Sequence, residues 1–328
     1  MNRPEKVRLE VFKLHLSPRR EQRSGIVTFR DLFLKKLGAS ENILDADLFQ
    51  QYVQLFIRTI DTDYQRVRNK AFTLINTPGQ TGYSAANNTV HGVLEGGLMG
   101  EGKTRRNFSN KTDGNPLDGS VINDKYFFYI HTPLDDNTGY LMFQIYQQDS
   151  IRAEFVRYIA EHIFKYNPDY NMANYDPYLP QSIKDEFRHS AKVKEVKFSE
   201  RVLSSELDSS ASFTTINESY KVEVKIIPLN STFGMPMLDA FLGPLLGKTF
   251  NNVRLSNFDN KKVTLQNRQT GKNATFELDG MGDIMPRIYL HNKISIDQNG
   301  VPDFVELKSF CDTLLNRMVD DEPGVREV

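Results

Sequence analysis

Two runs of aromatic and β-branched residues, KYFFYIHTP at 125–133 and GYLMFQIY at 139–146, are separated only by LDDNT. Strand formers at that density on either side of a short Asp/Asn-rich turn specify a β-hairpin. Directly afterwards Ile151, Phe155, Ile159 and Ile163 recur every four residues, giving an amphipathic helix over about 150–165. The chain is therefore expected to pack helices on an antiparallel sheet.

The flanking sequence extends this pattern. VRLEVFKLHL at 7–16 alternates, with Val7, Leu9 and Val11 on one face, and predicts a half-buried strand. Thr28 is a candidate N-cap for a helix carrying Phe29, Leu32, Phe33 and Lys36. Asp45 opens a second with Leu48, Tyr52, Leu55 and Phe56 at helical spacing. From Gln65 to about Arg106 the pattern is extended, and residues 107–120 are turn chemistry throughout. YNPDYNMANYDPYLP at 166–180 predicts a connector between lobes.

Beyond it come a short helix at 181–189, paired strands at 193–202 and 220–229, and an apolar helix at 235–247 despite Pro244. VRLSNF (253–258), KKVTLQNRQ (261–269) and NATFELDG (273–280) predict a three-stranded meander. A last helix at 304–319 aligns Phe304, Leu307, Cys311, Leu314 and Met318 on one face. The expected fold is α+β, mostly antiparallel sheets with packing helices, in two lobes, 1–165 and 181–328, joined by 166–180.

With 328 residues, 39% of them hydrophobic, the chain can build one large or two modest cores. The 41 Lys and Arg against 42 Asp and Glu exclude global steering toward nucleic acid or anionic lipid, so any anion binding must come from local patches. Cys311 is the only cysteine, which forbids an intrachain disulfide and a thiol-based zinc site. The N-terminal sequence MNRPEKVRLEVF lacks a signal-peptide apolar region, and the longest apolar runs fall far short of the roughly 20 residues that span a bilayer. The expectation is a cytoplasmic protein without membrane insertion.

GLMGEGKT at 97–104 satisfies the P-loop pattern G-x-x-x-x-G-K-[ST]. That motif works because its amides sit at a helix N-terminus, whereas Thr104 is followed by RRNFSNKTDGNPLDG, which has no helical periodicity. RYIAEH at 157–162 has the R-x4-H spacing of the HEPN endoribonucleases, but Tyr158 stands where that family has a small polar residue. The EVK triplets at 195–197 and 223–225, with Pro168-Asp169 upstream, match the E-x-K of restriction-type nucleases, yet such triplets arise by chance among 42 acidic residues. His15, His91, His131, His162, His189 and His291 show no zinc-binding spacing. Asp61 with Asp63, and Asp279 with Asp283, have the spacing of solvated loops as much as of cation ligands. No catalytic residue, metal or cofactor is assigned.

Two basic stretches remain. Lys103, Arg105, Arg106 and Lys111 lie within 103–111 with no acid among them, in an expected mobile loop. From Lys248 to Lys272 six basic residues face the single acid Asp259. Strand alternation with Val253, Leu255, Val263 and Leu265 inward puts Arg254, Lys262 and Arg268 on the outer face, with Lys272 nearby. Such a face suits phosphate contacts.

From the hairpin onward, the order KYFFYIHTP, GYLMFQIYQQDSIRAEFVRYI, VKEVKF, KVEVKIIPL, apolar helix and meander resembles a group of bacterial proteins encoded near antiviral genes. It is similar, more distantly, to the RexA-like exclusion proteins of phage lambda. The resemblance spans roughly 120–320 and implies sequence-independent DNA binding by a homodimer in an abortive-infection response. The expected function is thus a non-enzymatic nucleic-acid-binding component of a bacterial antiphage system, contacting the DNA backbone. A partner effector protein is a further candidate. The alternatives are a nuclease or toxin effector and a protein-interaction subunit.

Overall fold

The KYFFYI and YLMFQI runs are apolar at consecutive positions because both faces of their sheet are covered. In the computed structural model, β8 (Val121–His131) and β9 (Thr138–Ile145) pair antiparallel from Phe128↔Phe143 to His131↔Tyr140. The structure describes residues 7–18, 28–61, 63–107, 110–146, 150–165, 171–203, 219–229, 233–250, 253–268, 273–277, 288–291 and 293–321. The fold is α+β with antiparallel sheets, in two units: Met1–Tyr178 with Arg287–Val328, and Leu179–Pro286.

The first unit holds a nine-stranded sheet of order β10-β1-β9-β8-β5-β3-β2. Here β1 is Arg8–Pro18, β2 Gln65–Val67, β3 Lys70–Leu74, β5 Thr89–Met99 and β10 Asn171–Pro177. Two further strands join it, β4 (Gly82–Ser84) on β5 and β17 (Ile288–Tyr289) on β1. One face is covered by α1 (Phe29–Leu37), α2 (Asp45–Ile60) and α3 (Arg152–Tyr158). There Phe128 meets Phe56 and Phe155 at ring separations of 5.8 and 5.1 Å. The neighbouring residue Phe127 points the other way and stacks on Phe304 of α6 (Phe304–Asp321), 6.2 Å away.

Local signals set these helices. Thr28 caps α1 in a capping box, its hydroxyl accepting from the Asp31 amide (3.2 Å) and its own amide donating to the Asp31 carboxylate (3.0 Å). The expected repeat Ile151, Phe155, Ile159, Ile163 is buried along its length. Its last turn is π-helical over Ile159–Ile163, where the Phe164 amide reaches the Ile159 carbonyl at 2.8 Å.

The second unit is a four-stranded sheet of order β12-β11-β15-β16. Its strands are β11 (Ala191–Leu203), β12 (Ser219–Ile226), β15 (Asn260–Asn267) and β16 (Asn273–Glu277). Val196 and Phe198 of β11 and Val263 and Leu265 of β15 share a core with Leu238 and Leu245 of α5 (Met235–Leu246). The helix expected at 181–189 is α4 (Gln181–Ser190).

Four expectations are corrected. β1 does not stay half-buried on one face: Val7, Leu9 and Val11 are followed by Phe12, Leu14 and Leu16, all buried, in a strand flanked by β9 and β10. The turn chemistry of 107–120 includes a hairpin, β6 (Thr104–Asn107) against β7 (Asn110–Pro116). The connector contains a strand, since Asn171–Pro177 pairs with β1 (Leu14↔Tyr175) and main-chain bonding there overrides its turn-like composition. Residues 287–328 belong to the first unit, with β17 on β1 and α6 over β8, so 181–328 is not one lobe. Among the described residues no helix is long and apolar enough to cross a membrane.

Candidate nucleic-acid interface

The outer face of the four-stranded sheet is built by the alternation VKEVKF and KVEVKI, which sends the valines and Phe198 inward and the lysines outward. Antiparallel register then aligns the two triplets. Lys197 of β11 stands opposite Lys225 of β12 on one side and Lys262 of β15 on the other. Three lysines thus form one row across three adjacent strands, spanning about 10 Å at the usual strand spacing. On the fourth strand Glu277 stands opposite Lys262, and Glu223 pairs with Lys197, so acids flank the row within the sheet.

Among the described side chains this face carries five basic residues, Lys192, Lys197, Lys221, Lys225 and Lys262, and two acids, Glu195 and Glu223. The Glu223 carboxylate lies 2.7 Å from both Lys197 Nζ and Lys221 Nζ. Those two ammonium groups, Lys197 first, hold its pKa down at about 2, so it stays ionised. Among these described side chains the basic residues outnumber the acids by three.

Of the residues anticipated from sequence, Lys262 sits in the middle of this surface, half-exposed. Arg254 does not. The expected first strand of the meander is only β14 (Val253–Arg254), paired with β13 (Thr249–Phe250), and a 3-10 turn at Leu255–Asn257 ends it. Arg254 is exposed but belongs to that separate ribbon, and β11 takes the expected strand's place beside β15. Arg268 is exposed just beyond β15, and Lys272 lies outside the described residues.

The second basic stretch lies in the first unit, on the β6–β7 hairpin instead of a loop. Arg105 and Arg106 are exposed on β6, Lys103 precedes it half-buried, and Lys111 is on β7 with its side chain outside the described set.

The same region disposes of the P-loop pattern. The Gly100 amide donates to Ser120 O (2.8 Å), Gly102 to Asp118 Oδ1 (2.8 Å) and Lys103 to Gly100 O (2.9 Å), leaving no cradle of free amides. Strand β6 follows where a helix would be needed. The glycines serve close packing: a Cβ on Gly97 would lie 1.9 Å from the Ile122 carbonyl oxygen.

In RYIAEH, Arg157 pairs with Glu161 at 2.9 Å and His162 leans on Tyr158, ring centroids 4.7 Å apart. Lys36 donates to the His162 carbonyl, and burial draws its pKa down to about 8. Asp169, Asp279 and Asp283 lie outside the described residues, and Asp61 accepts from Asn76 at 2.9 Å. Among the described residues no three His, Cys, Asp or Glu side chains converge as metal ligands.

The sequence matches no protein-family model and no curated protein. Lys197, Lys221 and Lys225 escaped the sequence reading as a binding surface. The signal was there in the two similar alternating strands, but pairing them with KKVTL was needed to see the row.

Proposed function

We propose that this chain binds nucleic acid through backbone phosphates, using the open face of the four-stranded sheet, without base readout or catalysis of its own. The observation that carries the reading is the row Lys225, Lys197, Lys262 on adjacent strands. Phosphates of a nucleic-acid backbone are matched by such a row and release counterions on binding it. The setting, a DNA-binding homodimer in a bacterial antiphage or abortive-infection system, is proposed from the resemblance in element order alone.

The test is fluorescence anisotropy with two unrelated DNA duplexes over a range of salt. Binding should be alike for both duplexes and fall steeply as salt rises, with about 0.9 log units of affinity lost per log unit of salt for each phosphate neutralised. Absence of binding at low salt, or strong preference for one duplex, contradicts the reading.

A protein-interaction subunit is the second reading, favoured by one feature. The outer side of α5 exposes Met237 and Phe241, one turn apart, and Phe250 is exposed as well. Pull-down of a defined partner that Phe241→Ser abolishes, with no effect on DNA binding, would support it.

A further inference from the structure

The four-stranded sheet ends on one side at β16 and on the other at β12. β16 is five residues long. β12 runs for eight, contains no proline, and pairs with β11 without a bulge from Ser219↔Leu203 to Ile226↔Val196. In such an edge strand every second residue directs its N–H and C=O away from the sheet, and here they meet no main-chain partner among the described residues. Edges of this length and regularity accept another strand.

The side chains of β12 are as incompletely matched as its main chain. α5 closes the core over β11 and β15, where Val196, Phe198, Val263 and Leu265 are buried, whereas Val222, Val224 and Ile226 of β12 are only partly buried. On the open face Lys225 is the member of the row that the flanking acids leave out. Its cross-strand neighbour is Lys197, and it makes no ion pair with an acid among the described residues. Lys197 and Lys221 both meet Glu223 at Oε1, so Oε2 has no partner among the described residues.

These unmatched groups complement each other. A second β12 laid antiparallel beside the first, with Val224 opposite itself, puts Val222 opposite Ile226 and Glu223 opposite Lys225, each twice by the two-fold symmetry. Moving the axis to Glu223 sets Lys221 against Lys225, and moving it to Lys225 sets that residue against itself; like charges directly opposite disfavour both. Moving it to Val222 leaves Lys225 opposite Ser219, without an acid. The strand thus matches a copy of itself, in one register.

We propose that β12 is the edge at which two copies of this chain join, continuing the sheet across a two-fold axis into eight strands. Main-chain hydrogen bonds hold the pair, and the contacts between Lys225 and Glu223 of the second copy set the register. Alternation keeps the lysines of both copies on the same face, so the two rows share one surface, offset by two residues or about 7 Å. This gives the homodimer proposed above a specific interface and rests on that reading, but not on nucleic-acid binding.

Sedimentation velocity on the full chain, freed of nucleic acid, should show the mass of two chains at micromolar concentration. Lys225→Glu sets two acids against each other and should weaken association about tenfold or more, whereas Lys225→Glu/Glu223→Lys restores opposite charges across the axis and should recover it to within a few-fold. Cys311 is the only cysteine and is buried, so an introduced thiol reports alone. Val224→Cys should cross-link into a covalent dimer on mild oxidation, while Val222→Cys and Ile226→Cys should cross-link only when mixed with each other. Full affinity in Lys225→Glu, no recovery in the double variant, or no cross-link through Val224→Cys overturns this interface while a wild-type dimer leaves the homodimer reading standing. A wild-type monomer overturns both.

Discussion

The large sheet is covered on both faces and its central strands are apolar at consecutive positions, Tyr126 to Ile130 in β8 and Tyr140 to Ile145 in β9. The small sheet has one face under α5 and one open, and its strands alternate valine with lysine and glutamate. In the first, the central side chains from Tyr126 to Ile130 and from Tyr140 to Ile145 are committed to packing, and buried polar groups are bonded, as Gln144 is to the Phe127 amide and Tyr129 to Asp312. In the second, half of each strand contributes nothing to the core, so its composition is free to serve a ligand.

Substitution is the bluntest way to break this contrast. Phe128→Ala removes a ring packed between Phe56 and Phe155 and should destabilise the first unit by about 3–5 kcal/mol. Lys225→Ala on the open face should change stability by no more than about 0.5 kcal/mol. Urea unfolding followed by circular dichroism distinguishes the two, and equal effects would mean that the open face is packed.

Acid should act on the two units in different windows. The folded His131 pKa, about 4, lies below the 6.5 of an unfolded histidine, so between those values the unfolded chain binds the extra proton. Stability of the first unit should therefore fall as pH drops from about 6.5 to 4, by up to roughly 3 kcal/mol from this group, and level off below. Buried His91 shifts in the same direction. Glu223 is depressed instead, so its contribution in the second unit is present above about pH 4.5 and lost toward pH 2. An NMR titration of the His131 ring checks the assignment, and protonation near pH 6.5 would refute it.

A smaller effect sharpens the electrostatic side. Glu223→Gln frees Lys197 and Lys221 from their shared acid, so duplex binding should tighten by a few-fold at low salt while the unfolding midpoint barely moves. Weaker binding would show that Glu223 positions the lysines for the ligand instead of competing with it.

What the sequence made legible was local. The hairpin, the buried Ile151 to Ile163 repeat and the Thr28 capping box each depend on residues within a few positions of one another. Partners distant in the chain were not legible. Asn171–Pro177 reads as turn because Asn, Asp and Pro dominate it, yet β1 supplies its main-chain partners from more than 150 positions earlier. Likewise Lys262 was placed outward correctly, but its neighbour across the sheet is Lys197, not Arg254. The motifs at 97–104 and 223–225 resembled catalytic signatures while serving a glycine-tight turn and an ion-paired strand.

Whether the lysine row dominates nucleic-acid binding is decided by the salt dependence of duplex affinity in three triple variants. Lys197→Ala/Lys225→Ala/Lys262→Ala should flatten the slope of log affinity against log salt by about two to three units, at about 0.9 per phosphate lost. Lys103→Ala/Arg105→Ala/Arg106→Ala on the β6–β7 hairpin should flatten it less. Arg254→Ala/Arg268→Ala/Lys272→Ala should also fall short of the row, because Arg254 stands on a ribbon apart from it. A wild-type slope in the row variant, or a larger loss in either of the other two, would contradict the account.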